Sequence, residues 1–284
     1  ILSFLVTSAL TGYLALAFGA FVLVSIVVDE EHTVGFLLFV MTTSTVLILA
    51  FITGYLVWNA VPVVREMGLY LLVGSDPFWD TGPGLYSLVP MMWGTLVTTL
   101  IATLVAAPLG VAGAVFISEI APGWVREIVK PAVEMLAGIP SIVYGFIGVV
   151  ILNSFMQQEL SLPTFGSLFV TGVVVGVMAL PTVVSVAEDA IASVPDPMRD
   201  GAQALGATDW QTTTSVTLPA AFSGISAAVL LGVGRAVGET MAATVILGNV
   251  TSLPDPLIDV FGNTITLTSL IASQYGAASG LQFS

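Results

Sequence analysis

The chain has 284 residues, 56% hydrophobic and 8% charged, with 18 acids against five basic residues for a net charge of −13. That balance excludes an ordinary soluble domain, in which about a quarter of residues are charged. It also disfavours nucleic-acid binding, because five cations build no basic patch. Cysteine is absent and histidine occurs once, so neither a disulfide framework nor a metal site is expected, and nothing calls for a cofactor.

Mean hydropathy is +1.04, and the uncharged stretches are each long enough for a bilayer span of roughly 20 residues. The fold class that follows is all-α, a polytopic membrane helical bundle with about six spans in this chain. They are expected near residues 3–28, 34–60, 91–118, 136–155, 164–187 and 220–248. No stretch has the ten-residue alternation of an outer-membrane barrel. The first run is too long for a signal-peptide core and has no basic region before it, so it reads as a span. The chain starts at Ile1 and not at Met, which leaves room for trimming at both ends.

Between the first two spans, Asp29-Glu30-Glu31-His32 reads as a solvated loop. Residues 61–90 form a connection with turn chemistry at Ser75-Asp76-Pro77 and Gly82-Pro83-Gly84. Gly110, Gly113, Gly172 and Gly176 offer small surfaces for helix packing. Arg126 and Lys130 lie in the 119–135 connection and Arg199 in the 188–219 connection. The positive-inside rule puts both on the cytoplasmic side. Residues 61–90, the tail 249–284 and the N-terminus then face out, with Arg65 against the rule. Acidic loops on an apolar body point to a halophilic source, the alternative being an acidic protein from an ordinary organism.

LAGIPS at 136–141 opens a span with a proline whose freed carbonyl needs a partner, from Ser141 or a neighbouring helix. Its plainest reading is a kink. Residues 200–219, DGAQALGATDWQTTTSVTLP, are polar between apolar runs. Asp196 before Pro197 reads as an N-cap with proline in the first turn. Residues 198–205 suit a short helix, Gly206 a left-handed break, and Thr208-x-x-Gln211 a capping box for a second helix. The result is a helix–glycine–helix elbow.

The last apolar run contains Gly232-Val233-Gly234-Arg235-Ala236-Val237-Gly238-Glu239-Thr240-Met241. Arg235 and Glu239 are four apart and so are expected on one helix face near mid-membrane. A central arginine costs about 2.5–3.5 kcal/mol on translocon scales. Either a structural ion pair or a polar site on a translocation path accounts for it. On the path reading Arg235, Glu239 and Thr240 line the route, and the planar guanidinium fork suits a phosphate-like oxyanion. Residues 260–284 are uncharged and rich in Ser, Thr, Asn, Gln and Gly. They read as an external re-entrant or amphipathic segment, helical over 267–275. No phosphate-binding G-x-x-x-x-G-K-[ST] loop occurs, and one histidine in an acidic run supports no nucleophile–histidine–acid set.

The elbow has a familiar spacing. Asp200-Gly201-Ala202, three residues, Gly206, nine residues, then Val216-Thr217-Leu218-Pro219 resembles the EAA loop of ABC-importer permeases. LAGIPS with Tyr144-Gly145, Val186 to Asp189, Val194-Pro195, GRAVGETM at 234–241 and LTSLIASQY at 267–275 complete the set. Together they resemble the phosphate-importer permease family. The GETM ending favours the PstC branch over the sister PstA branch. The resemblance covers residues 68–284.

It implies a MetI-like membrane domain over 66–284, after N-terminal helices in 1–65. The implied role is a non-catalytic permease subunit of an ATP-driven inorganic phosphate importer in the plasma membrane. Its partners would be a PstA-like sister permease, a separate ATPase subunit, an extracytoplasmic phosphate-binding protein and lipid. Asp200, Gly201, Ala202, Leu205, Gly206, Leu218 and Pro219 would couple to the ATPase. Asp200 replaces the pattern's Glu, Gly201 its first Ala and Val216 its Ile, and the family's further span after the LTSLIASQY-like segment does not follow. A permease for another oxyanion, or a transporter or channel with no ATPase, are the alternatives.

Overall fold

A computed structural model describes residues 12–13, 19, 21, 29–75, 78–80, 85–160 and 166–278. The first expected span falls almost wholly outside these residues, as do the Asp76-Pro77 and 81–84 turns. Two compact units divide the chain, Ile1–Gly68 and Leu69–Ser284.

In the first unit one long helix, α1 (Glu30–Met67), is apolar on every side. Asp29 starts it, its carboxylate accepting from the His32 backbone N–H and facing the His32 ring nitrogen at 3.1 Å. The expected Asp29–His32 loop is therefore a capped first helical turn, still exposed to solvent.

The second unit begins with a short helix, α2 (Tyr70–Val73), and a two-stranded sheet. Its strands, β1 (Trp79–Asp80) and β2 (Leu85–Tyr86), pair antiparallel with Trp79 edge-on to Tyr86. The first span of the unit, α3 (Val89–Val115), continues through a π-helical turn, Phe116–Ile120. After α4 (Gly123–Ala137) comes a span assembled from α5 (Ser141–Ile147), a π-helical stretch Gly148–Asn153, and α6 (Ser154–Leu160). Pro140 precedes α5 at its N-cap rather than kinking it from within, and the freed Leu136 carbonyl accepts from the Tyr144 hydroxyl at 3.0 Å. The expected kink is thus a break between two helices, closed by Tyr144 and not by Ser141.

The most enclosed span is α7 (Leu168–Ala192), capped by the Ser167 hydroxyl. It packs on α3 through glycine. A Cβ on Gly172 would stand 2.5 Å from Ile101, and one on Gly176 2.9 Å from the Ala102 carbonyl. The small-xxx-small spacing is therefore a true close-contact face.

The elbow is α8 (Asp196–Ala204), then α9 (Asp209–Thr212), a π-helical turn Thr213–Thr217, and α10 (Leu218–Val237). The last three form one continuous helix, Asp209–Val237. The expected last span over 220–248 is wrong at both ends. Its helix starts in the elbow and stops at Val237. The chain resumes as α11 (Met241–Ile246) and, after an irregular stretch, α12 (Leu267–Ala278), the helix expected over 267–275. Among the described residues, five helices are long and apolar enough to cross a membrane.

Candidate functional site

Two regions carry the predicted site residues, and α10 joins them. Gly224 of α10 meets Ala190 of α7, and Gly232 meets Val183, so the two helices run antiparallel. Arg235, one turn further, donates from Nη1 to Thr182 Oγ1 at 3.3 Å. Thr182 lies about ten residues from the elbow end of α7, roughly 15 Å along the helix, which is about half of a 30 Å hydrocarbon core. Ala236 packs with Ala102 and Val175, residues from the interiors of α3 and α7. Arg235 therefore stands at the middle of the bundle although it occupies the last turn of its own helix.

The helix ends there because Gly238 follows, and Glu239 and Thr240 are not helical. Arg235 and Glu239 consequently do not share a helix face. Among the described residues no ion pair involves Arg235. The Glu239 carboxylate turns the other way and accepts from the Ala242 backbone N–H at 3.1 Å, capping α11. Its backbone carbonyl accepts from Thr268 Oγ1 at 2.7 Å, which ties the start of α12 to the break. The Thr240 hydroxyl donates to the Gly238 carbonyl at 3.3 Å, and the Thr240 carbonyl accepts from Thr244. Three predicted residues thus meet at one interruption of a span, but the expected intrahelical pair is absent.

The arrangement has chemical consequences. A guanidinium has five N–H donors, and the described protein engages Arg235 through one acceptor. Half-buried, unpaired and aimed from a helix end, it is suited to hold an anion by a bidentate contact. Irregular backbone at such depth is tolerated where it is enclosed by protein or lines a wet cavity. Thr182 was missed by sequence reading. An isolated threonine after Pro181 in an apolar helix gives no local signal, and its role comes from a contact 53 residues away.

At the other end, the elbow follows the local reading closely. Gly206 has φ +89°. The Ala207 N–H reaches back to the Ala202 carbonyl at 3.2 Å and the Gly206 N–H to Gln203 at 2.9 Å, the closure of a left-handed helix end. The Thr208–Gln211 capping box is present in both directions. One detail is shifted: Pro195, not Asp196, is the N-cap of α8, so Asp196 and Pro197 are its first two residues. Asp200, Gly201, Leu205 and Gly206 are exposed around the tip, with Ala202 half-buried and Leu205 91% exposed. Leu218 and Pro219 do not join them. They lie further along the continuous helix and line an apolar groove with Val111, Thr214, Phe222 and Ile225.

The two basic connections also meet here. Lys130 Nζ lies 2.6 Å from Glu188 Oε2 and 3.9 Å from Asp189. Its pKa is raised, chiefly by the hydrogen bond to Glu188, against a smaller opposing effect of burial. Arg199 Nη2 lies 3.2 Å from Glu119. Arg126 donates to the Ile117 and Ser118 carbonyls.

Comparison with known proteins agrees with this architecture. Residues 106–276 match the family model described as "Binding-protein-dependent transport system inner membrane component". The chain is 45% identical over 223 residues to a probable ABC transporter permease protein, YqgH, of Bacillus subtilis, covering 75% of this chain and 71% of that protein. It is 34% identical over 272 residues to the phosphate transport system permease protein PstC of Haemophilus influenzae, covering 89% and 83%. A probable PstC of Methanocaldococcus jannaschii is 30% identical over 250 residues, covering 80% and 76%. Among solved structures, a chain from inward-facing conformations of the MetNI methionine ABC transporter aligns with a TM-score of 0.53 at 21% identity. That alignment covers 72% of this chain and 87% of the other, and it shows the fold alone. The protein is a polytopic all-α permease of the MetI-like type. It belongs to the binding-protein-dependent transport permease family, among whose members it is similar to the PstC proteins.

Proposed function

We propose that this chain is the PstC-type membrane subunit of an ATP-driven importer of inorganic phosphate. It forms the translocation path with a PstA-like sister permease and catalyses no reaction itself. A separate ATPase docks on the α8–Gly206–α9 elbow from the cytoplasm, and an extracytoplasmic binding protein delivers phosphate to the opposite face. The observation that carries the reading is Arg235, a half-buried guanidinium without a carboxylate partner among the described residues, at the point where α10 breaks off in mid-bundle. Phosphate is the anion because relatives that align with most of this chain are named for its transport and because a guanidinium fork matches a tetrahedral oxyanion. Glu239 and Thr240 hold the break open, Glu239 by capping α11. The elbow's exposed tip, with Leu205 outermost, is the dock.

The test is uptake into proteoliposomes holding the whole assembly, with labelled phosphate, sulfate and molybdate offered in turn. Phosphate uptake that requires ATP and is lost in Arg235→Gln is expected. Transport of sulfate or molybdate in preference to phosphate would reassign the substrate. Transport by this chain without any ATPase would overturn the class.

A further inference from the structure

We propose that Glu119 and Arg199 are positioning residues for transport: their ion pair is the node through which movement of the elbow reaches three membrane helices together. This rests on the reading of the elbow as the ATPase dock. Arg199 stands on α8, the first half of the elbow. Its Nη2 lies 3.2 Å from Glu119 Oε1 and donates to the Ile191 carbonyl at 2.8 Å. Glu119 lies at the end of α3, in its π-helical turn, and Ile191 lies in the last turn of α7. The second Glu119 oxygen lies 3.3 Å from Thr213 Oγ1, whose one proton it shares with the Asp209 carbonyl at 3.0 Å. Thr213 opens the π-helical turn through which the elbow's second helix becomes α10. One carboxylate and one guanidinium therefore join both halves of the elbow to α3, α7 and α10.

Three features fit transmission and not merely folding. The pair is largely withdrawn from water, the side chains being 11% and 23% exposed. Glu119 alone would be left desolvated without an ionic partner, whereas Arg199 would keep Asp196 at 3.6 Å, so the link resists separation chiefly through Glu119. The helical segments that meet at it on α3 and α10 are both π-helical, a form confined mostly to short functional interruptions of α-helices. Finally, the tethered helices are those that frame Arg235: α10 carries it, and α7 carries Thr182, its partner. Without the node, a push on the elbow would reach α10 directly along its own helix. With it, α3 and α7 move as well, and the environment of Arg235 changes on more than one side.

The experiment uses the assembled transporter, with sister permease, ATPase and binding protein, in proteoliposomes. It reads phosphate moved per ATP hydrolysed, together with thermal stability of the assembly. Glu119→Gln and Arg199→Gln are expected to assemble and hydrolyse ATP. Phosphate moved per ATP should fall by about 2- to 30-fold, the range for residues on a coupling network. The double variant should be no worse than either single one. Arg199→Lys should recover part of the ratio. Thr213→Val, which leaves the ion pair in place, should lower the ratio less, and it serves where the charge variants fail to fold. A lower stability with an unchanged ratio in these variants makes the pair structural and overturns the proposal. A crosslink from Leu205→Cys to the ATPase in the otherwise native complex separates the two readings. If it forms while Glu119→Gln keeps the native ratio, only the node fails. If it does not form in an active complex, the docking reading fails and the node with it.

Discussion

Arg199 and Arg235 are the same side chain in two opposite settings. Arg199, at the elbow end, has a carboxylate at 3.2 Å and a backbone carbonyl at 2.8 Å. Lys130 beside it has Glu188, and Arg126 has two carbonyls. Arg235, at mid-bundle, has one threonine hydroxyl. An ion pair at 4 Å is worth about 4 kcal/mol at an effective dielectric of 20, before desolvation is counted. The elbow end uses that attraction to fix its geometry. The break forgoes it, although a carboxylate lies only four residues on, because Gly238 ends the helix and Glu239 turns to cap α11. A paired charge holds structure together, whereas an unpaired one is left for something that comes and goes.

The strongest way to break that contrast is at Arg235. Arg235→Gln is expected to abolish phosphate uptake in proteoliposomes while the chain still inserts and assembles. Normal uptake would show that the guanidinium is not on the path. Glu239→Gln retains an oxygen able to accept from Ala242, so α11 should remain capped, and uptake should be impaired rather than lost. Since Arg235 and Glu239 are not paired, the double variant should stay as inactive as Arg235→Gln. Recovery of uptake in the double variant would restore the ion pair that the geometry denies.

Gly206 gives the next largest effect, and it acts through backbone alone. A Cβ there would meet nothing within 4 Å, but φ is +89°. A β-branched residue in that region is strained by about 1–2 kcal/mol. Gly206→Val should leave insertion intact and uncouple ATP hydrolysis from uptake, read as hydrolysis that persists while phosphate accumulation falls. Gly206→Asn, which tolerates the left-handed region, should lose much less. Equal losses from both variants would point to the tip's surface and not to its backbone.

Why the elbow was legible in sequence and the break was not follows from the range of the interactions. The Thr208–Gln211 capping box, the glycine closure and the turn of helix before it all span a few residues, so their signals are local. Even so, the start of α8 falls one residue earlier than the Asp196–Pro197 pattern suggests. Gly238, Glu239 and Thr240 sit inside an apolar run that reads as one span, and the glycine that ends the helix looks locally like Gly232 and Gly234, which do not. The stop is held by Thr268, 29 residues on. Glu119 with Arg199, Lys130 with Glu188, and Arg235 with Thr182 are likewise long-range pairings that periodicity does not encode. Gly172 and Gly176 were readable as a packing face because their spacing is itself the helix period.

Orientation tests the comparison in the inserted chain without its partners. Leu205→Cys and Ile258→Cys are single probes in a cysteine-free chain, at positions 91% and 82% exposed. In sealed right-side-out vesicles a membrane-impermeant thiol reagent should label position 258 and spare position 205. The reverse pattern would put the paired end outside and overturn the docking of an ATPase there.

The smallest expected effect separates a paired charge that only fixes structure from one that transmits movement. Lys130 links α4 to Glu188 near the end of α7 at 2.6 Å. Its pKa is raised above 10.5, first by that hydrogen bond. A raised folded-state pKa means that the stabilisation is fully present below the unfolded value and is lost as pH rises through the folded one. This pair should therefore add nothing to the pH dependence of stability between about pH 6 and 9, and should weaken only above about 10.5. Lysine is 43% exposed here, so the loss in Lys130→Met should be near the exposed-pair range of about 0–1 kcal/mol, somewhat larger if Glu188 stays ionised and buried. Lys130→Met with Glu188→Gln should be no less stable than Lys130→Met alone, because the stranded charge is gone. In both variants phosphate moved per ATP should match the native transporter. A fall in that ratio would make Lys130 part of the transmission, and α4 would then move with α7 through this pair.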